Sequence, residues 1–457
     1  MQILLPFANF KESEWIIRWI FDEIFFLPVS IESHDSDFYE FRYDESCLRI
    51  DNSFFKISSP FWLVSVGMKC PTIKHWDKVA TDLDVDLVEN SIPVLWGSAG
   101  FEMLNENYGD LKLDVIGSIF FMLSRYEEVV GTTRDQFDRF PASASLANKL
   151  NFLYRPIVDE YIEILWAAMK RVWPRLNKPE KMGRLIITCD VDDPYERWIK
   201  SPALLVQGVA GALLRRRSIS HAIRRVRNAY FSRKGIYEYD PYWIFDSYMN
   251  MCEKYGHSVK FFFIARSGST QFDCMYSLDE HRIQNLLSKI SSRGHEIGMH
   301  GSFNTYHDRI ALMEERRVLV AACENAGANP SVMENRQHYL RWDVSETPTH
   351  LDEAGFYYDS SGSYADMPGF RFGTSRSFPM WSWMHHKSLK LRQRPLIVMD
   401  GSIVYYLGLG YSEEALDLIN KLKIRSLKYG GDFVLLWHNT MISTVEEERF
   451  FMRLIAD

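Results

Sequence analysis

From Arg184 to the end of the chain, short apolar runs alternate with helical spans, and this alternation restricts the fold more than any other feature. Candidate strands are 184–189, 258–264, 295–300, 396–399 and 433–438, with candidate helices at 242–255, 279–293, 308–326 and 412–429. Strands separated by helices pair in parallel through helical crossovers, as an open sheet or a β/α barrel. In such folds chemistry collects at the carboxyl ends of the strands. The most explicit strand end is Ile186–Asp193, I-I-T-C-D-V-D-D, stopped by Pro194. Residues two apart on a strand share a face, so Thr188, Asp190 and Asp192 point the same way. Two carboxylates at a buried strand end are costly to desolvate unless a cation or a proton transfer uses them. The plainer alternative is that an Asp caps the following turn.

A second polar tip is His295–Asn304, H-E-I-G-M-H-G-S-F-N. Alternation puts His295, Ile297 and Met299 on one face and Glu296, Gly298 and His300 on the other. His300 can therefore point into a site at the strand end, while His295 hydrogen-bonds within the wall. Imidazole with carboxylate is a common set for zinc and other divalent metals, and three protein ligands with an open position mark a catalytic site.

The first 180 residues read as a mixed α+β domain. Segments 38–44 and 54–57 alternate like half-buried strands, 114–128 reads as a helix opened by Asp114, and 151–175 as a second amphipathic helix. The run Ser124-Arg125-Tyr126-Glu127-Glu128 fits either a contact surface or a solvated helix end. Residues 176–183 carry charge, Pro and Gly and read as a linker.

A net charge of -7 argues against bulk nucleic-acid binding. The six cysteines are scattered without a C-x-x-C pair, which suits a reducing compartment. The first residues lack the basic region of a signal peptide, and no run reaches the roughly 18 apolar residues of a membrane span. A cytoplasmic protein is expected. One segment qualifies this: residues 197–234 hold ten Lys or Arg and no acid, around the apolar run A-L-L-V-Q-G-V-A-G-A-L-L. That combination suits peripheral contact through 200–234 with an anionic membrane at its inner face, the alternatives being a solvated loop or a patch for a phosphorylated ligand.

In order, T-C-D-V-D, K-F-F-F-I, G-H-E-I-G-M-H, the Arg of E-N-R-Q-H-Y-L-R, and L-L-W-H resemble the motifs of the polysaccharide deacetylase family (NodB homology, carbohydrate esterase family 4). The resemblance covers about residues 184–457; residues 1–180 more loosely resemble a domain that precedes such deacetylases in bacterial proteins of surface-polysaccharide synthesis. It implies an α/β protein whose residues 184–457 form a distorted β/α barrel with a basic insertion at 197–234. The implied activity is metal-dependent removal of N-acetyl groups from an amino-sugar glycan or lipid-linked sugar precursor. On this likeness Asp190 is the base, Arg336 pairs with it, and His438 is the general acid, oriented by Asp400 or, as second candidate, Asp359. Asp192 and His300 are metal ligands, and Asn304 stands where the family has its second metal His. The implied metal is Zn, with Co or Ni as alternatives. Tyr339, Arg371 and Trp437 are candidate substrate contacts.

The sequence departs from the family in three places. The paired acids are spaced as Asp190-Val191-Asp192, the Arg336 motif lacks its following prolines, and Asn304 offers an amide oxygen in place of an imidazole. His307 can replace it if the loop bends. The change at 304 keeps open a glycan-binding scaffold without turnover, and an O-acetyl esterase on the same fold is a further alternative.

Overall fold

The computed structural model describes residues 1–58, 63, 74–78, 83–266, 272–329, 331 and 333–456. The apolar runs after Arg184 become strands of a nine-stranded sheet. Next to its central strand lies Val259–Ile264, V-K-F-F-F-I, buried at every residue as a strand covered by helices on both faces must be. From one edge the order is Phe378–Ser382, Lys387–Gln393, Tyr358–Asp359, Glu334–Gln337, Glu296–Gly301, Val259–Ile264, Leu185–Val191, Phe433–Leu436 and Val398–Met399. All neighbours are parallel except the edge hairpin of Phe378–Ser382 with Lys387–Gln393. Among the described residues the ladder runs edge to edge without a closing pair. The barrel implied by the resemblance is thus represented by an open, mostly parallel sheet in a mixed α/β protein.

The register sets the site. Asp190 lies opposite Phe262, His300 opposite Ile264 and Arg336 opposite His300, while Thr188 pairs with Leu436, two residues before His438. Four strand ends thereby present Asp190, His300, Arg336 and His438 along one edge. The crossover helices Phe245–Lys254, His281–Ser292, Arg309–Asn325 and Glu413–Lys428 fall within the predicted spans. Side chains cap two of them: Asp308 accepts from the Ala311 N–H and Ser412 from the Ala415 N–H.

Residues 2–113 build a six-stranded sheet in the order Ser30–His34, Gln2–Pro6, Tyr39–Tyr43, Ser46–Ile50, Tyr108–Leu113, Gly97–Asn105. Residues 54–57, expected as a strand, lie in the helix Ser53–Ser58. Phe54 and Phe55 are adjacent and both buried, which a helix turned into the core allows and strand alternation does not. The helix opened by Asp114 runs as Val115–Leu123 and then breaks, because Arg125 takes a left-handed conformation (φ 52°) before Tyr126–Val130.

That break turns Ser124–Glu128 into a buried contact between the two sheets. Arg125 bonds Glu127 (2.6 Å) and Glu128 (2.7 Å), and Arg371, from the far side, donates to Glu128 at 2.9 Å. The indoles of Trp15 and Trp19 donate to the carbonyls of Pro379 and Ser377, and one hydrophobic core runs through both sheets. The basic segment folds as two helices, Pro202–Leu214 and Ile219–Ser232. No helix among the described residues is long and apolar enough to cross a membrane.

Candidate active site

The carboxyl ends of the central strands open into a cavity of about 970 Å³. Asp190, Asp192, His300, His338, Asp400 and His438 line it together with Tyr339.

Asp190 is buried at the end of its strand. Arg336 donates through Nη1 to Asp190 Oδ1 (2.9 Å) and to Thr188 Oγ1 (2.8 Å), and through Nε to the Ser360 carbonyl. Its guanidinium also lies 4.6 Å from the centre of the Phe262 ring. Asp190 is thus held by a fully buried cation that is itself fixed on four sides.

Asp192, two residues on, meets two imidazoles. His300 Nε2 is 3.2 Å and His338 Nε2 3.6 Å from Asp192 Oδ1. One ligand atom each from Asp192, His300 and His338 can be chosen so that all three lie within 4.8 Å of one another. His300 Nδ1 donates to the Arg336 carbonyl at 2.7 Å, which fixes the ring with Nε2 facing Asp192. His338 Nδ1 faces Asp273, 3.5 Å away. An imidazole whose far nitrogen is turned to a carbonyl or carboxylate is the arrangement metal-binding histidines need. Asp192 Oδ1 is buried and makes no hydrogen bond, an acceptor that a cation would satisfy. Two imidazoles and a carboxylate fit zinc or a similar divalent ion. Burial alone would raise the Asp192 pKa, but the His338, His300 and His438 imidazoles hold it well below the usual carboxylate range.

His438 lines the same cavity, its Nε2 3.6 Å from Asp192 Oδ2. Its Nδ1 lies 2.9 Å from both oxygens of Asp400, and its backbone N–H donates to the same carboxylate. Burial would lower its pKa, but Asp400, then Asp192 and Asp190, push it up to about 10. Asp400 is therefore the acid that orients His438. Asp359 is bound to Ser361 and Asn335 instead.

The remaining predicted residues separate. Asn304 is exposed at the start of a short 3-10 turn, its amide oxygen accepting from Arg341 at 2.9 Å. His307 pairs with Glu346 at the surface. Neither joins Asp192 and His300; His338 stands there. The signal for His338 is in the sequence, because Arg336 and His338 repeat the two-residue spacing of Asp190 and Asp192 at a strand end. Tyr339 lines the cavity, whereas Trp437 is fully buried against Phe450 and Phe451, and Arg371 is spent on Glu128. His295 accepts from the Val259 N–H and sits in the wall, as its strand face predicts.

Arg139, in the segment before the second sheet, also lines the cavity. It donates to the Tyr339 carbonyl (2.9 Å) and to the Tyr406 hydroxyl (3.1 Å). Tyr339 and Leu340 both have positive φ, 61° and 54°, so the turn after His338 is strained, and Arg139 braces it.

Residues 1–174 match the model of a family described as a family of unknown function, DUF7033. No curated protein matches the chain. Among solved structures, a provisionally assigned polysaccharide deacetylase from Mycobacterium smegmatis is similar at 18% identity and TM-score 0.39, covering 61% of this chain and 84% of that one. A second, from Pseudomonas aeruginosa PAO1, has 15% identity and TM-score 0.32, covering 52% and 69%. Puue allantoinase has 14% identity and TM-score 0.31, covering 47% and 67%.

Proposed function

We propose that the protein is a metal-dependent hydrolase that removes N-acetyl groups from an amino-sugar glycan or a lipid-linked sugar precursor. One observation carries this reading: a carboxylate fixed by Arg336 and an imidazole fixed by Asp400 both border a carboxylate–imidazole cluster. Asp190 lies 3.7 Å from His300, and His438 lies 3.6 Å from Asp192.

A divalent cation held by Asp192, His300 and His338 would supply Lewis acidity and a water of lowered pKa. Asp190, aimed by Arg336, takes a proton from the attacking water as its oxygen adds to the acetamide carbonyl. His438 gives its proton to the sugar nitrogen as the C–N bond breaks, so the amine departs neutral. The products are acetate and a free amino sugar. A positioned acid matters more for an amine than for an alcohol leaving group, and the Asp400–His438 pair favours the amide over the ester reading. With His338 in the cluster, Asn304 no longer argues for a scaffold without turnover. In this reading residues 184–457 carry the chemistry, and residues 1–180 support it through Arg139 at the cavity wall.

The test is acetate release by the zinc-loaded protein from N-acetylated amino-sugar oligomers, compared with O-acetylated sugars. Asp190→Asn and His438→Ala should each lower the rate on the order of 10²- to 10⁴-fold with the melting temperature little changed. Full activity in both variants refutes the assignment.

A further inference from the structure

The basic segment presents an inverted amphipathic pattern. On the helix Ile219–Ser232, Ile219, Ile223, Val226 and Tyr230 recur at helical spacing on one face, yet they are 69%, 62%, 50% and 55% exposed. The buried residues of this helix are Ala222, Arg225, Asn228 and Ala229. A helix packed for a core does the opposite. On the partner helix Pro202–Leu214, Val209 and Leu213 line a shallow apolar groove shared with Ile219, Ile223, Val226 and Tyr230.

The stripe is held outward by a built base. Asn228 donates to Glu196 (3.2 Å) and Asp240 (2.8 Å), while Arg225 stacks on Trp198 at 4.7 Å and donates to the Gly208 carbonyl. Gly208 is required there, since a Cβ would come within 2.7 Å of the Trp198 ring. Around the stripe basic charge dominates, with only Arg224 of the exposed arginines paired among the described residues, to the buried Glu196 at 3.3 Å. Arg215, Arg216 and Arg217 at the hairpin tip are exposed and make no ion pair among the described residues, and Arg224, Arg227, Arg233 and Lys234 are exposed beside them. At its root, Arg197 lines the active-site cavity.

We propose that this helical hairpin docks on an anionic bilayer, with the apolar stripe in the headgroup–acyl boundary and the arginines on lipid phosphates. Charge complementarity selects this occupant. A second copy would bring the same basic rim against itself, whereas an anionic lipid surface satisfies stripe and rim together. Docking would set the cavity beside the bilayer, where a lipid-linked sugar is presented. That last consequence rests on the proposed hydrolase; the docking itself does not.

Flotation of the full chain with phosphatidylcholine vesicles, with and without about one-third phosphatidylglycerol, tests it. The chain should float with the anionic vesicles alone and be released by about 0.5 M salt. Combined Arg215→Gln, Arg216→Gln and Arg217→Gln should weaken binding on the order of 100-fold, at about fivefold per arginine. The pair Ile223→Ser and Val226→Ser should also weaken it at least tenfold, with melting temperature and zinc binding unchanged, since both side chains are exposed. Asp190→Asn should float like the parent, so absent turnover and absent docking are told apart. Failure of the parent to float, or variants that bind like it, overturns the proposal. So does a parent dimer that Ile223→Ser and Val226→Ser convert to monomer, which would make the stripe an interface between copies.

Discussion

His338→Ala and Asn304→Ala, compared side by side, separate the cluster in the structure from the one the motif spacing suggests. His338 Nε2 lies 3.6 Å from Asp192 Oδ1, whereas the Asn304 amide is exposed and bonded to Arg341. Even a partner behind a metal ligand is worth about 10- to 100-fold in affinity. Loss of the His338 imidazole should therefore weaken zinc binding at least about 100-fold, or roughly 2.7 kcal/mol. Asn304→Ala removes one part-buried hydrogen bond, from Arg341. It should cost no more than about 1 kcal/mol of stability and leave zinc affinity within about threefold. Competition with a chelating indicator measures both affinities, and thermal melting checks that each variant folds. If Asn304→Ala loses zinc as severely as His338→Ala, the cluster is wrongly assigned.

Two further predictions concern buried ion pairs. Burial would raise the Glu334 pKa, but Lys260 and Arg394 bring it down to about 2. Between there and an unfolded value of about 4.3 the unfolded chain binds more protons, so stability rises with pH across that window. The contribution, about 3 kcal/mol, is complete above pH ~4.5 and lost as pH falls through ~2. Glu334→Gln should therefore flatten the acid side of the stability profile in denaturant melts, and an unchanged profile would contradict this. Arg371→Ala leaves Glu128 buried without one of its two cations and should cost about 3–5 kcal/mol, read as a lower Tm. The fraction that folds should keep its KM; a raised KM with unchanged Tm would make Arg371 a substrate contact after all.

The strands and crossover helices of the second sheet are legible because each is a short apolar or amphipathic period bounded by polar tips. Asp190, Asp192 and His300 are legible for the same reason, since a strand's period of two says which tip residues share a face. His338 is harder to read. The family's spacing points to the loop after His300, whereas the third side chain of the cluster follows the next strand, where His300 pairs with Arg336. The left-handed pair Tyr339–Leu340 that ends that strand has no signature in bulky residue types. Arg371 shows the limit from the other side. Its partner Glu128 lies 243 positions away, and nothing local separates a cation spent on a buried acid from one kept for a sugar. Phe54-Phe55-Lys56-Ile57 is too short for periodicity to choose strand or helix, and burial chose helix. Closure of the sheet depends on its edges, and those are the antiparallel Phe378–Ser382 hairpin and the two-residue strand Val398–Met399.

The most direct test of the central claim is metal-edge anomalous diffraction from crystals grown with zinc. The account predicts one strong peak about 2.0–2.2 Å from Asp192, His300 and His338 together, with Asp190 and His438 on either side of it. A peak at Asn304 or His307, or none between Asp192 and His338, would contradict it.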